Sequence, residues 1–479
     1  MTMARQTTLS LIAITHILAA FGCAPWRGDV RIAEYRPSSL AAELAARAEP
    51  LPGFTDGGEP DVAALWQMTR DARVVALGEA THGTREMRRL MSAMVERAAR
   101  DERPLAIALE LDFHTGLRID AWVRERWFLG APLSDLALAE ALSFAGPVVA
   151  VAEYRDLFAS IRAYNRTVAP ERAVRVFGID TCLIPSCSED LEAYFAAVDP
   201  RYHAQAVALL AAPRRLWSGS TGGARALAAA RMNLGRVRAR LDERRVEYIE
   251  ARGAAAHEAA VRLVWHEERR LDFVASHVDP SVVFDRDRNM ADSVVWMVEA
   301  LGERGRGLVL AHNGHVGRGL DRLPNGRMEI GSVMGRALAD RYGDAYVVVH
   351  MTFDVGSFLA HGPRTARQRR YGGAGRLRAF AVGAAPRGTL EATLRQTQGA
   401  YALDLRAVAS DGALGRYLHT RHWGRQYGSA WRRLYDLTPS AWTGLVPAED
   451  FDVLVMFPHA SPTTPYLSPD GGASAAQPP

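Results

Sequence analysis

Four short apolar runs constrain what this chain can fold into. They are Val74-Val75-Ala76-Leu77, Leu105-Ala106-Ile107-Ala108-Leu109, Val174-Arg175-Val176-Phe177 and Leu308-Val309-Leu310-Ala311. Each has the length and apolar content of a buried strand. Segments of helical periodicity separate them. After the first run, for example, Met87, Leu90, Met91, Met94 and Val95 share one helix face. Strands alternating with helices build βα units, so the pattern predicts an α/β fold with a largely parallel central sheet flanked by helices. Further strands are expected at Tyr346–His350, Tyr401–Leu405 and Phe451–Phe457, and a weaker one at Val148–Val151. Helices are expected at Leu40–Arg47, Val62–Thr69, Gly116–Phe128 and Tyr154–Tyr164, and from Asp285 to Leu301.

Each of the four runs is followed at once by polar residues of catalytic type. Glu79 and His82 follow the first, Glu110 and Asp112 the second, Asp180 the third, and His312 and His315 the fourth. In a parallel sheet the carboxyl ends lie on one rim, where ligands bind, so these groups converge. Several carboxylates and three imidazoles in one cleft suit proton transfer and water activation. His82 lies in a loop between Gly78 and a helix beginning at Thr84, where it can serve as a general base. The same residue types also bind divalent metals, so a site of Glu79, His82, Glu110 and His315 is the alternative. A structural salt-bridge network with the arginines is the third reading.

Other chemistries are excluded by absence. The 479 residues contain no lysine, which removes Schiff-base chemistry and the phosphate loop that needs a lysine. There is no G-x-S-x-G elbow. His266-Glu267-Glu268-Arg269-Arg270 lacks the second histidine of a zincin helix. A net charge of +4 over this length makes no case for nucleic-acid binding.

Between Ser188 and His277 the pattern changes to long Ala-, Arg- and Glu-rich helical segments, broken at Trp217–Gly223. Residues 188–284 are therefore expected to form a helical insertion, a lid or wall over the sheet. That leaves 37–187 and 285–460 as the two parts of the α/β core, with a disordered tail at 461–479. The N-terminus reads as an export signal over residues 1–22, followed by a tether at 23–36. Cys23 after Ala20-Phe21-Gly22 resembles a bacterial lipoprotein signal, which implies a lipid-anchored protein of the periplasm. Ala24 rather than aspartate favours the outer membrane by the same resemblance. In an oxidising compartment Cys182 and Cys187 can pair, or stand as two free thiols.

Gly78-Glu79-Ala80-Thr81-His82-Gly83-Thr84, Glu110-Leu111-Asp112-Phe113, Arg286-Asp287-Arg288-Asn289-Met290-Ala291 and Ala311-His312-Asn313-Gly314-His315 together resemble the erythromycin esterase family. Order and strand context agree, from about Leu40 to Phe457. The resemblance implies a hydrolase that opens an ester or macrolide lactone, with macrolide resistance as its biological consequence. By that resemblance His82 is the base that activates water, and Glu79, Glu110, His312 and His315 hold the other active-site positions. Arg286 or Arg288 corresponds to a substrate-contacting arginine, and Asp112 and Asp180, on the same rim, join the substrate-binding set. An arginine that members often carry nine positions after the histidine is Met91 here, with Arg88 and Arg89 near it. Leu111 and Gly314 stand where alanine is usual. The partner expected is a small ester or lactone, with no cofactor unless the metal alternative holds, and with membrane contact only through the anchor.

The anchor is directly testable. Wild-type protein in its native cell should fractionate with membranes, and Cys23→Ser should shift it to the soluble fraction. Soluble, unlipidated wild-type protein would contradict the lipoprotein reading.

Overall fold

The apolar runs form strands because their residues are buried on both sides. All six residues of the strand at Val74–Glu79 and all seven of that at Arg306–His312 are buried, as expected where helices cover both faces of a parallel sheet. The structure is a computed structural model. It describes residues 37–54, 58–126, 135–144, 148–181, 186–216, 223–279, 281–319, 333–365, 375–395, 399–432 and 441–466. The expectations for the signal, the tether, Cys23, Cys182 and residues 467–479 lie outside this set.

The strands are β1 (Glu49–Pro50), β2 (Val74–Glu79), β3 (Leu105–Asp112), β4 (Arg175–Asp180), β5 (Arg306–His312), β6 (Tyr346–His361), β7 (Leu377–Val382), β8 (Tyr401–Asp404), β9 (His422–Arg425), β10 (Trp442–Leu445) and β11 (Val453–Ala460). Nine of them make one sheet in the order β1-β8-β11-β6-β2-β5-β3-β4, with β7 beside β6. The run from β11 to β4 is parallel throughout. The antiparallel pairs are β1 with β8, β8 with β11, and β6 with β7. β9 and β10 form a separate antiparallel ladder. The chemistry expected on one rim is thus on one rim. Glu79 is in register with His312, and Asp112 with Asp180. A register shift between Leu109 and Asp112 breaks the alternation of β3 at Glu110.

Between β4 and β5 the described residues form helices at Ser186–Val198, Pro200–Arg215, Ala224–Glu243, Arg245–Arg252 and Ala254–Val278, then the core helix Arg286–Ala300, and no strand. This segment joins the helix Phe113–Val123 through polar and aromatic contacts. His114 Nδ1 lies 2.5 Å from Asp190, and His266 stacks on Phe113 at 4.4 Å. Within it, the fully buried Arg270 and Glu267 pair at 2.6 Å. Cys187 is buried and disulfide-bonded. No helix among the described residues is long and apolar enough to cross a membrane.

Several boundaries differ from the sequence reading. The helix expected at Gly116–Phe128 runs from Phe113 to Val123, because Asp112 caps it and Glu125 takes a left-handed backbone (φ 52°) that ends it. Val148–Val151 is not a strand; only Val151 makes an isolated bridge, to Pro465. β6 continues to His361, where its far half leaves β2 and pairs with β7. The chain packs five residues beyond Ser461 instead of ending its order there. Ser461 O accepts from Arg85 N (2.9 Å), Thr463 N donates to Gly83 O (2.9 Å), and Tyr466 N donates to Ala150 O (2.8 Å).

Candidate active site

β2 ends at Glu79, and five residues later Thr84 stands at the N-terminal boundary of the helix Arg85–Ala99 without a side-chain cap bond. His82 lies in that short loop with Nδ1 2.8 Å from Glu79 Oε1. Behind the pair sits Arg88, on the first turns of the helix and 2% exposed. Its Nη2 donates to Glu79 Oε1 (2.9 Å) and to the His82 carbonyl (2.9 Å). Nη1 donates to the Tyr154 hydroxyl, and the guanidinium lies 4.2 Å from the centre of the Tyr154 ring. Burial is the largest influence and works against the Arg88 charge, but Glu79 together with Tyr154, Glu153 and Glu110 outweighs it and raises the guanidinium pKa. A carboxylate only accepts, so His82 presents Nδ1–H to Glu79. Among the described residues its Nε2 has no hydrogen-bond partner and so keeps a lone pair, on a side chain 19% exposed. The loop is pinned from outside as well. A Cβ on Gly83 would come 1.9 Å from Leu359 O, and the bare backbone there accepts bonds from Leu359 N (3.0 Å) and Thr463 N (2.9 Å).

A second cluster stands beside the first. Glu110 Oε2 accepts from His312 N (2.9 Å), and Oε1 accepts from Arg286 Nη2 (3.1 Å) and lies 3.3 Å from His315 Nε2. Asp180 grips Arg286 at Nε (3.0 Å) and Nη2 (2.6 Å). Asp287 receives His315 Nδ1 at 2.9 Å and Met334 N at 3.0 Å. Burial alone would lower the His315 pKa, but Glu110 and Asp287 reverse this and push it up to about 10. It is therefore an imidazolium at neutral pH. Burial would raise Glu110, but His315, His82 and Arg286 hold it well below the usual carboxylate range. Arg286 Nη1 and His315 Nε2 sit only 3.1 Å apart. Two like charges tolerate that distance because Glu110, Asp180 and Asp287 surround them.

His312 lies between the two clusters, its ring centre 5.2 Å from that of His82 and 6.4 Å from that of His315. Gly314 N donates to its Nδ1 (3.1 Å), which fixes the tautomer and makes Nε2–H the donor to Tyr427 O (3.0 Å). Burial pushes its pKa down to about 4, and the repulsion that a second charged imidazole at His82 or His315 would add acts in the same direction. His312 is therefore neutral, with both nitrogens engaged by backbone. Tyr427 N in turn donates to Ala80 O (2.8 Å), so the chain beyond β9 closes one side of the site.

The structure thus brings together Glu79, His82, Glu110, Asp180, Arg286, His312 and His315. Two residues expected with them have other places. Asp112 spends both oxygens capping its own helix, on Thr115 N (3.0 Å) and Thr115 Oγ1 (2.7 Å). Arg288 is 59% exposed and pairs with Asp292 at 3.2 Å. Both Glu110 oxygens and both His315 nitrogens face protein partners, and among the described residues no three His, Cys, Asp or Glu converge as a ligand set. Residues not singled out from sequence include Arg88, Tyr154 and Asp287. Arg88 had a readable signal: three before Met91 and seven before Val95, it puts a charge on the apolar helix stripe. Asp287 lay inside a quoted motif, and nothing local pointed to Tyr154.

Residues 105–460 match the erythromycin esterase family. Three solved structures share the fold. One is a protein from Bacillus cereus, 20% identical, with a TM-score of 0.73 over 90% of this chain and 99% of that one. A second is a succinoglycan biosynthesis protein, 18% identical, with a TM-score of 0.71 over 89% and 98%. The third is a mutant of the erythromycin esterase EreC in its open conformation, 17% identical, with a TM-score of 0.62 over 86% and 98%.

The charge on His315 has a consequence for stability. Its folded pKa is raised, so its contribution is complete below about 6.5 and is lost as pH climbs through about 10. The stability gap between wild type and His315→Gln, from urea denaturation, should be widest near pH 6 and should narrow by pH 10. A gap that does not change with pH would contradict the assignment.

Proposed function

The chain belongs to the erythromycin esterase family, and on that premise we propose that it hydrolyses an ester or macrolide lactone with water activated by His82. The observation that carries this reading is the open Nε2 of His82, held by Glu79 at the other nitrogen. A base needs a free lone pair, a fixed tautomer and a partner for the charge it acquires. His82 has all three. A water at Nε2 gives up its proton as it attacks the carbonyl carbon, and Glu79 stabilises the resulting imidazolium. Arg88 keeps the buried Glu79 carboxylate in place from behind.

The tetrahedral intermediate carries a negative oxygen, and Arg286 and the His315 imidazolium form the nearest concentration of positive charge. His312 is a neutral spacer, so its role is positioning: its backbone N–H orients Glu110 and its ring ties the Tyr427 segment to the site. The proton on His82 then passes to the leaving alkoxide, which completes hydrolysis and restores the base. If the substrate is a macrolide, ring opening would confer resistance. We further propose that the protein works in the cell envelope, as a periplasmic lipoprotein anchored through Cys23.

Mass spectrometry of a panel of macrolides, simpler lactones and linear esters tests the reading. At least one member should gain the mass of one water, at the same rate with and without chelator. Loss of turnover on chelation would favour the metal-dependent alternative. Binding of a panel member without mass gain would make the protein an envelope binding protein instead.

A further inference from the structure

The helix Arg85–Ala99 carries Arg88, yet it begins without a side-chain cap. Thr84 makes no capping bond, and its Oγ1 is buried with no partner among the described residues. The first N–H groups of a helix have no acceptor of their own. Here the chain beyond β11 supplies one. Ser461 O accepts from Arg85 N (2.9 Å). Glu86, 8% exposed, answers with both oxygens, Oε2 accepting from Ser461 N (2.8 Å) and Oε1 from Ser461 Oγ (2.5 Å). Pro462 lies opposite Thr84 as an antiparallel bridge. Thr463 N donates to Gly83 O (2.9 Å), the carbonyl next to His82. The same segment then crosses to the helix Ala152–Asn165, which carries Tyr154. Thr464 N donates to Glu153 (3.1 Å), Thr464 O accepts from Ala152 N (2.8 Å), and Tyr466 N donates to Ala150 O (2.8 Å). Residues 461–466 lie just past the region that matches the family.

We infer that Ser461–Tyr466 is a positioning strap for the general base, with Glu86 as its anchor. The inference rests on the hydrolase reading above. Arg88 belongs to one helix and bonds Tyr154 on the other, while it also holds Glu79. The separation of the two helix starts therefore sets where Arg88 places the Glu79 carboxylate, and Glu79 in turn orients His82. One run of six residues bonds both helix starts and the loop that carries His82. Among the described residues its hydrogen bonds go to Gly83, Arg85, Glu86, Ala150, Ala152 and Glu153, and none to a side chain of the cleft. The strap thus acts on the geometry of the base and leaves substrate binding to the cleft itself.

The test compares wild type, a chain ended at Ala460, a chain ended at Tyr466, Glu86→Leu and Glu86→Gln. Thermal melting checks that each is folded, and Glu86→Leu carries the test if the chain ended at Ala460 is not. Misplacing a catalytic group by about 1 Å can cost about 10² in rate. Ending the chain at Ala460, or Glu86→Leu, should cost up to that factor in kcat with little change in KM. Glu86→Gln can still accept from Ser461 N and donate to its hydroxyl, so it should recover most of the loss. Ending the chain at Tyr466 should cost nothing. Nitrogen NMR of the His82 ring, assigned by its loss in His82→Asn, reads the positioning without substrate. At a pH where the ring is neutral, wild type should show one tautomer with the proton on Nδ1, and loss of the strap should give a mixture of the two. A folded strap variant that only melts lower, with wild-type kcat and a single tautomer, makes the segment merely structural and overturns the inference. A mixed tautomer in wild type overturns it too, as does an equal loss on ending at Tyr466, where the strap is intact. If wild type cleaves no ester or lactone while the tautomer still responds to the strap, the positioning stands and hydrolysis falls.

Discussion

The site depends on one buried ion pair, Glu79 with Arg88. Glu79 is 1% exposed and Arg88 2%. Neither charge would be stable at that depth alone, and removal of one partner from such a pair typically costs about 3–5 kcal/mol. The pair is also where the local chain is tied together. Arg88 bonds the strand end through Glu79, the loop through the His82 carbonyl, and the neighbouring helix Ala152–Asn165 through Tyr154. Gly83 adds a second tie to β6 and to the segment after Ser461. The imidazole of His82 is therefore fixed in orientation by groups that do not themselves face the cleft.

Around this pair the structure separates charge by function. On one side, His82 keeps a free nitrogen and little competition for it. On the other, His315 and Arg286 are locked cations enclosed by three carboxylates, and their raised pKa values follow from that enclosure. His312 insulates the two sides as a neutral imidazole with both nitrogens bonded to backbone. A cleft built this way holds a base and a positive region at the same pH without either neutralising the other. Burial lowers one histidine and acidic neighbours raise another, though both follow the same strand.

Much of this was legible in the chain. The four apolar runs specify the strands because a parallel sheet buries both faces, and the polar residues at their ends mark the rim. Glu79, His82, Glu110, His312 and His315 could be picked out on that ground. What could not be read was pairing. Asp112 looked like a site carboxylate because it ends β3, yet it is also the first residue before a helix, and capping engaged both oxygens. Arg286 and Arg288 were equivalent in sequence; only the helix rotation turns one toward Asp180 and the other to solvent. β7 is partly exposed and β9 and β10 are four residues each, so their periodicity is faint, and the contribution of the Tyr427 segment was invisible for that reason. Arg88 carried a signal that went unused, a charge on an otherwise apolar helix stripe.

The central claim is that His82 is the base. Its side chain adds little to the core, so His82→Asn should fold and melt like wild type while losing the basic nitrogen. The direct measurement is kcat for that variant on a substrate the wild type cleaves, alongside its melting curve. The account predicts a fall of roughly 10²–10⁴ in a folded protein. Near-normal turnover by folded His82→Asn would contradict it and move the chemistry to another group on the rim.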